Sequence, residues 1–130
     1  MQQLEESMVQ NYAELARAND AFRRTLTTGP YSQVVVMSLA PGEDIGEEVH
    51  GHGDQLLLLV EGDGEATLEG RPSPVAAGDM VFVPAGTRHN VISGLSVPLK
   101  LVTVYAPPAH RPGTVHLTKA DALADESEHH

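Results

Sequence analysis

Gly78-Asp79-Met80-Val81-Phe82-Val83-Pro84-Ala85-Gly86-Thr87-Arg88-His89 is the stretch that decides the fold. Met80 to Val83 reads as a short strand, mostly of β-branched and aromatic residues. Gly78-Asp79 opens it, and glycine reaches the backbone angles that a tight corner needs. Pro84 closes it, because proline has no N–H to continue a ladder. Pro84-Ala85-Gly86 then turns the chain back, and His89 starts the returning strand.

The same pattern of short strand and sharp turn extends outward in both directions. The apolar runs are Tyr31–Leu39, Gln55–Val60, Glu65–Leu68, Met80–Val83, His89–Ile92 and Leu99–Tyr105. Between them fall Pro41-Gly42, Gly51 to Asp54, Gly62-Asp63-Gly64, Gly70-Arg71-Pro72 and Ser93-Gly94. Many short strands broken by Gly- and Pro-rich turns predict an all-β sandwich or barrel. No helical period interrupts them, which disfavours a parallel sheet with crossover helices. The uninterrupted Leu56–Val60 reads as a strand buried on both faces.

The two ends differ from this centre. Leu4, Met8, Tyr12 and Leu15 form one apolar stripe at helical spacing, so residues 1–20 predict a helix that Asn19-Asp20 ends. Thr25, Thr27 and Thr28 follow as β-branched residues, and Gly29-Pro30 is a turn. Pro107-Pro108 stops the last strand, and Thr118 with Asp121 predicts a capped final helix over 119–125. The expected organisation is one domain over 1–130: helix and arm to about 30, barrel over 31–107, loop and helix over 108–130.

Composition narrows the function. The chain has 130 residues and no cysteine, which removes disulfides, thiolate catalysis and Cys-ligated metal sites. The formal net charge is −10, and the eight Lys and Arg residues are scattered, so no surface tracks a nucleic-acid backbone. There is no Trp, and only three Tyr and two Phe, so a base-stacking platform is disfavoured. No run is long enough to span a bilayer, and Met1 to Glu6 lacks the features of a secretory leader. A cytoplasmic protein that engages neither nucleic acid nor membrane is expected.

His50 and His52 stand two residues apart, which on a strand puts both imidazoles on one face. Such a pair either converges on a transition metal or forms two polar turn residues. Two features together turn the balance. Gly78, Pro84, Gly86 and His89 match, without a gap, the second motif of the cupin superfamily, G-x5-P-x-G-x2-H. His50-Gly51-His52-Gly53-Asp54-Gln55, followed by Leu56–Val60, Glu61 and Gly62, resembles its first motif. The chain as a whole is similar to small bacterial one-barrel cupins.

The resemblance implies a double-sheet jelly-roll barrel with one divalent metal in its lumen, held by His50, His52 and His89. The family's fourth ligand, a glutamate seven residues before the motif's closing glycine, falls here on Gln55. Asp54 next door is the alternative oxygen donor. The metal is left open among iron, manganese, nickel, zinc and copper. Such a site suits an oxygenase-type or isomerase-type enzyme acting on a small organic acid or enol; the alternative is a non-catalytic binding or sensing cupin. Three histidines and an amide carry no anion, so an anionic small-molecule ligand is expected. No general acid or base is identifiable. Glu47-Glu48 read as edge charges, His110 and His116 as exposed loop residues, Arg88 as outward-facing and Asn90 as structural. The apolar stripe and β-branched residues of the first thirty positions lack an obvious place in the barrel, so a homodimer is expected, with the arm on a neighbour's sheet.

Overall fold

The computed structural model of the chain describes residues 7–128. Its elements run in the order α1 (Tyr12–Ala18), β1 (Arg23–Thr28), β2 (Gln33–Leu39), β3 (Asp54–Glu61), β4 (Asp63–Leu68), β5 (Arg71–Ala76), β6 (Met80–Val83), β7 (His89–Ser93), β8 (Leu99–Ala106), β9 (Val115–His116) and α2 (Lys119–Glu128). The strands form a six-stranded sheet ordered β6-β3-β8-β2-β1-β9 and a three-stranded sheet ordered β5-β4-β7. Every pairing between named strands is antiparallel. Neither sheet closes on itself. Together they make the expected jelly roll, with an N-terminal and a C-terminal helix.

One core joins the two sheets. Val35, Met37 and Leu39 of β2, Leu57 and Leu59 of β3, and Leu99, Leu101 and Tyr105 of β8 meet Ala66 of β4 and Val91 of β7. Burying each large aliphatic side chain contributes about 1.5–3 kcal/mol, so this layer dominates the stability of the barrel. The run Leu56–Val60 is apolar throughout for a different reason on each face. Leu57 and Leu59 enter this core, whereas Leu58 and Val60 lie half-buried on the outer face. There they pack with Val36, Val102 and Ala16 of α1.

The N-terminal helix is shorter than its apolar stripe predicts. Asn11 caps it, its side chain accepting from the backbone N–H of Glu14 at 2.9 Å, so α1 begins at Tyr12. Asparagine favours that cap over a helix interior. Leu4 lies outside the described residues. Met8 and Tyr12 are exposed, and the fully buried contact is Ala16, whose small side chain lets the helix approach the sheet. Asn19 ends the helix as expected, and buried Lys100 ties that end down by donating to the Asn19 carbonyl at 2.5 Å.

β1 takes its own place in the large sheet, between β2 and β9. Much of the arm that pointed to a second copy is therefore satisfied inside one chain. β5 was not foreseen because Pro72 and Pro74 argue against a strand. It is an edge strand, where a missing N–H costs least. At the far end, Thr118 and Asp121 form the reciprocal cap of α2, Asp121 N–H to Thr118 Oγ1 at 3.1 Å and Thr118 N–H to Asp121 Oδ2 at 3.2 Å. No helix among the described residues is long and apolar enough to cross a membrane.

Candidate metal centre and ligand cavity

The turn at Pro84-Ala85-Gly86 holds the two motifs together. Gly86 has φ +86°, a left-handed conformation that favours glycine. Its N–H donates to the His50 carbonyl at 2.8 Å. The N–H of Ala85 donates to Asp54 Oδ1 at 3.0 Å. One strand further in, Glu48 and His89 exchange both backbone hydrogen bonds at 2.9 Å. Residues directly opposite in an antiparallel pair place their side chains on one face. His50, two residues beyond Glu48, shares that face.

The result is a cluster of Glu48, His50 and His89, each offering a ligand atom within 4.8 Å of the others. The imidazole rings of His50 and His89 lie 5.4 Å apart. Gln55 joins them from β3, buried, with Oε1 3.0 Å from His89 Nε2. His52 does not join. Its neighbours Gly51 and Gly53 flank a bend that breaks the extended chain, and its side chain is exposed. Asp54 is likewise exposed and spends one oxygen on the Ala85 turn. The cluster that the fold brings together thus includes a carboxylate, Glu48, which had read as an edge charge.

The donor set fits a divalent transition ion. His50 Nε2 is buried and has no hydrogen-bond partner. Glu48 Oε1 stands 3.7 Å from it, within ion-pair range but too far for a hydrogen bond. His89 Nδ1 lies 2.9 Å from the Thr87 carbonyl, which can only accept, so Nδ1 carries the proton. Nε2 then turns a lone pair toward the Gln55 carbonyl oxygen, while the Gln55 amide N–H donates to Thr103 Oγ1 at 3.0 Å. Two facing lone pairs are what a shared cation satisfies, and an outer carbonyl that fixes the tautomer is usual for a metal-binding histidine. Burial pushes the Glu48 carboxyl up, but His50 beside it outweighs this, with help from Arg23 and His89, and holds it below its ordinary range. Glu48 in turn raises His50 against the opposing effect of burial.

Beside this cluster lies a cavity of about 570 Å³, lined by Arg23, Glu48, His50, His110 and His116 among others. A smaller one of about 250 Å³ lies on the side of His52 and Tyr105. His110 and His116 are therefore not exposed loop residues. His116 is buried between Arg23 and Asp125. His110 packs edge-on against Tyr105 with ring centres 5.2 Å apart. Burial pushes the Tyr105 hydroxyl up to about 12, against the pull of Arg23. Asn90 is structural as expected, accepting from Gly46 N–H at 3.0 Å and donating to Asp44 at 2.9 Å. Arg88 faces outward.

Burial, reinforced by Arg23, pushes His110 down to about 4. In the unfolded chain the ring takes its proton near pH 6.5. Acid therefore favours the unfolded state between those values, and stability falls as pH drops from about 6.5 toward 4, by about 2–3 kcal/mol from this group. Urea unfolding at pH 7 and pH 4.5 measures it. His110→Phe should narrow the gap between the two pH values, and an unchanged gap would show that the ring titrates normally.

Comparison with known proteins places these features in a family. The cupin domain model matches residues 35–105. The uncharacterized protein YrkC of Bacillus subtilis is 45% identical over 125 residues, covering 91% of this chain and 67% of that protein. The crystal structure of BH2720 from Bacillus halodurans superposes with a TM-score of 0.89 at 44% identity, covering 92% of this chain and 95% of that one. The tetracenomycin polyketide synthase protein TcmJ of Streptomyces glaucescens is 32% identical over 81 residues, covering 62% of this chain and 54% of that protein.

Proposed function

The chain belongs to the cupin family, and from that premise we propose that its lumen holds one divalent transition metal and uses it on a small organic acid or enol. The observation that carries this reading is the buried Nε2 of His50, which makes no hydrogen bond, within a cluster of Glu48 and His89 that borders a cavity. Glu48, His50 and His89 would hold the ion, with Gln55 as the fourth donor. Such an ion supplies Lewis acidity and open coordination positions for a ligand's oxygens. The chain's own groups do the rest: Thr103 orients the Gln55 amide, and the Thr87 carbonyl fixes the His89 tautomer. Chemistry of the oxygenase or isomerase type fits this arrangement.

One observation favours the second reading, a cupin that binds without turnover. A general acid or base works best with a pKa near the working pH. Tyr105, at about 12, and His110, at about 4, are both far from it. Elemental analysis of freshly purified protein should give up to one divalent transition metal per chain. Oxygen consumption on addition of 2-oxo or enolic acids supports the oxygenase; tight binding without consumption or product supports the sensor. Protein that takes up no transition metal even after dialysis against it would overturn the proposal.

A further inference from the structure

We propose that Arg23 is the receptor for the carboxylate of the ligand, forming with His110 and His116 an anion subsite in the same cavity as the metal cluster. The inference rests on the metal reading above and extends it to how the acid is recognised. Arg23 opens β1 and is only 4% exposed, yet its Nε is buried with no hydrogen-bond partner. An arginine remains charged in any protein environment, so a buried unsatisfied donor on it is costly unless something accepts from it.

The partner of Arg23 Nη1 is neutral. Its Nη1 lies 3.2 Å from His116 Nδ1, and a guanidinium can only donate, so Nδ1 accepts. His116 Nε2 then carries the ring's single proton and donates it to Asp125 Oδ2 at 2.8 Å. The hydrogen-bond chain from Arg23 through His116 to Asp125 fixes the guanidinium in place without putting an anion against Nη1. Glu48 lines the same cavity, but in the metal reading its carboxylate is taken up by the ion. Around that cavity the divalent ion, Arg23 and Arg111 face the carboxylates of Glu48, Asp125 and Glu126, which leaves a net positive charge once the ion is bound. That space selects an anion.

Arg23, His110 and His116 all lie outside residues 35–105, the part of the chain that matches the family model. β1 brings the arginine and the C-terminal segment brings both histidines, so the arm and tail of this chain build the subsite onto a barrel that supplies the metal cluster. The ligand class that spans both is a small carboxylic acid carrying a second oxygen donor, keto, hydroxyl or enol. Its carboxylate sits on Arg23 and its second oxygen is directed to the cluster.

The test is calorimetric titration of the full chain, zinc-loaded and metal-stripped, with 2-oxobutyrate and its neutral amide, 2-oxobutyramide. Zinc content is measured alongside. The wild type should prefer the acid. Arg23→Met should weaken acid binding about 10- to 100-fold, the loss expected for a hydrogen bond to a charged group, and leave amide binding and zinc content unchanged. Arg23→Lys keeps the charge but not the fork, so it should recover part of the affinity; it also serves if the methionine variant does not fold. Acid affinity equal to wild type in a folded Arg23 variant, or no preference for the acid in the wild type, would overturn the subsite. Zinc content unaffected by His50→Ala with His89→Ala would overturn the metal reading instead. In that event, acid binding to metal-stripped protein that still depends on Arg23 would sustain the subsite alone.

Discussion

Glu48→Ala should lower the affinity for a divalent metal by at least about 100-fold, the upper end of what loss of a supporting group alone costs, whereas His52→Ala should leave it nearly unchanged. The contrast follows from backbone geometry. Glu48 is fixed opposite His89 by two 2.9 Å hydrogen bonds, and it shares a face with His50. His52 sits in a bend between two glycines, with its side chain exposed. Removing Glu48 takes away the cluster's carboxylate and leaves a divalent ion facing neutral donors only. His50→Ala with His89→Ala should abolish retention while the barrel stays folded. Competition against a chelating dye measures the affinities, and circular dichroism checks the fold. The opposite ranking, with His52→Ala severe and Glu48→Ala silent, would mean that the Gly51–Gly53 bend opens when metal binds and turns His52 inward.

That ranking also marks where the sequence is legible. The strand and turns from Gly78 to His89 can be read directly, because proline and glycine act on their own backbone and nothing distant has to be known. The same holds for the Thr118–Asp121 cap. Glu48 is hidden for the opposite reason. Its role depends on pairing with His89, forty-one positions away, and beside Glu47 it looks like one of many surface acids. A signal was present all the same: Glu48-Val49-His50 has the same two-residue spacing as His50-Gly51-His52, and only the second pair is interrupted by glycine. Arg23 is further out of reach, since its contact with His116 spans 93 positions. The Leu56–Val60 run was legible as a buried strand, but not which partner covers its second face. Ala16, which does so, carries no helical stripe of its own.

Gln55→Glu should make the stability of the chain depend strongly on metal. Gln55 is 1% exposed; its amide N–H donates to Thr103, and its carbonyl oxygen faces His89 Nε2. As an amide it needs no counter-charge. A glutamate there would bring a second carboxylate into the cluster beside Glu48. Without metal, that charge is buried beside Glu48 with only Thr103 and the His89 ring to offset it. Incomplete compensation of this kind costs about 3 kcal/mol. For a domain of this size the melting temperature should fall by roughly 10 °C relative to metal-free wild type. With metal bound, the same carboxylate faces a divalent cation, so the deficit should vanish and metal should be held more tightly than in the wild type. The added negative charge should also weaken binding of small organic acids, which then compete with a built-in carboxylate. Thermal melts of wild type and variant, each stripped and reloaded, separate these effects. Equal melting temperatures of the two stripped proteins would mean that Thr103 and the His89 ring offset the new carboxylate fully. A stripped-state deficit that metal fails to restore would place residue 55 outside the ion's coordination, leaving Glu48, His50 and His89 to hold it alone.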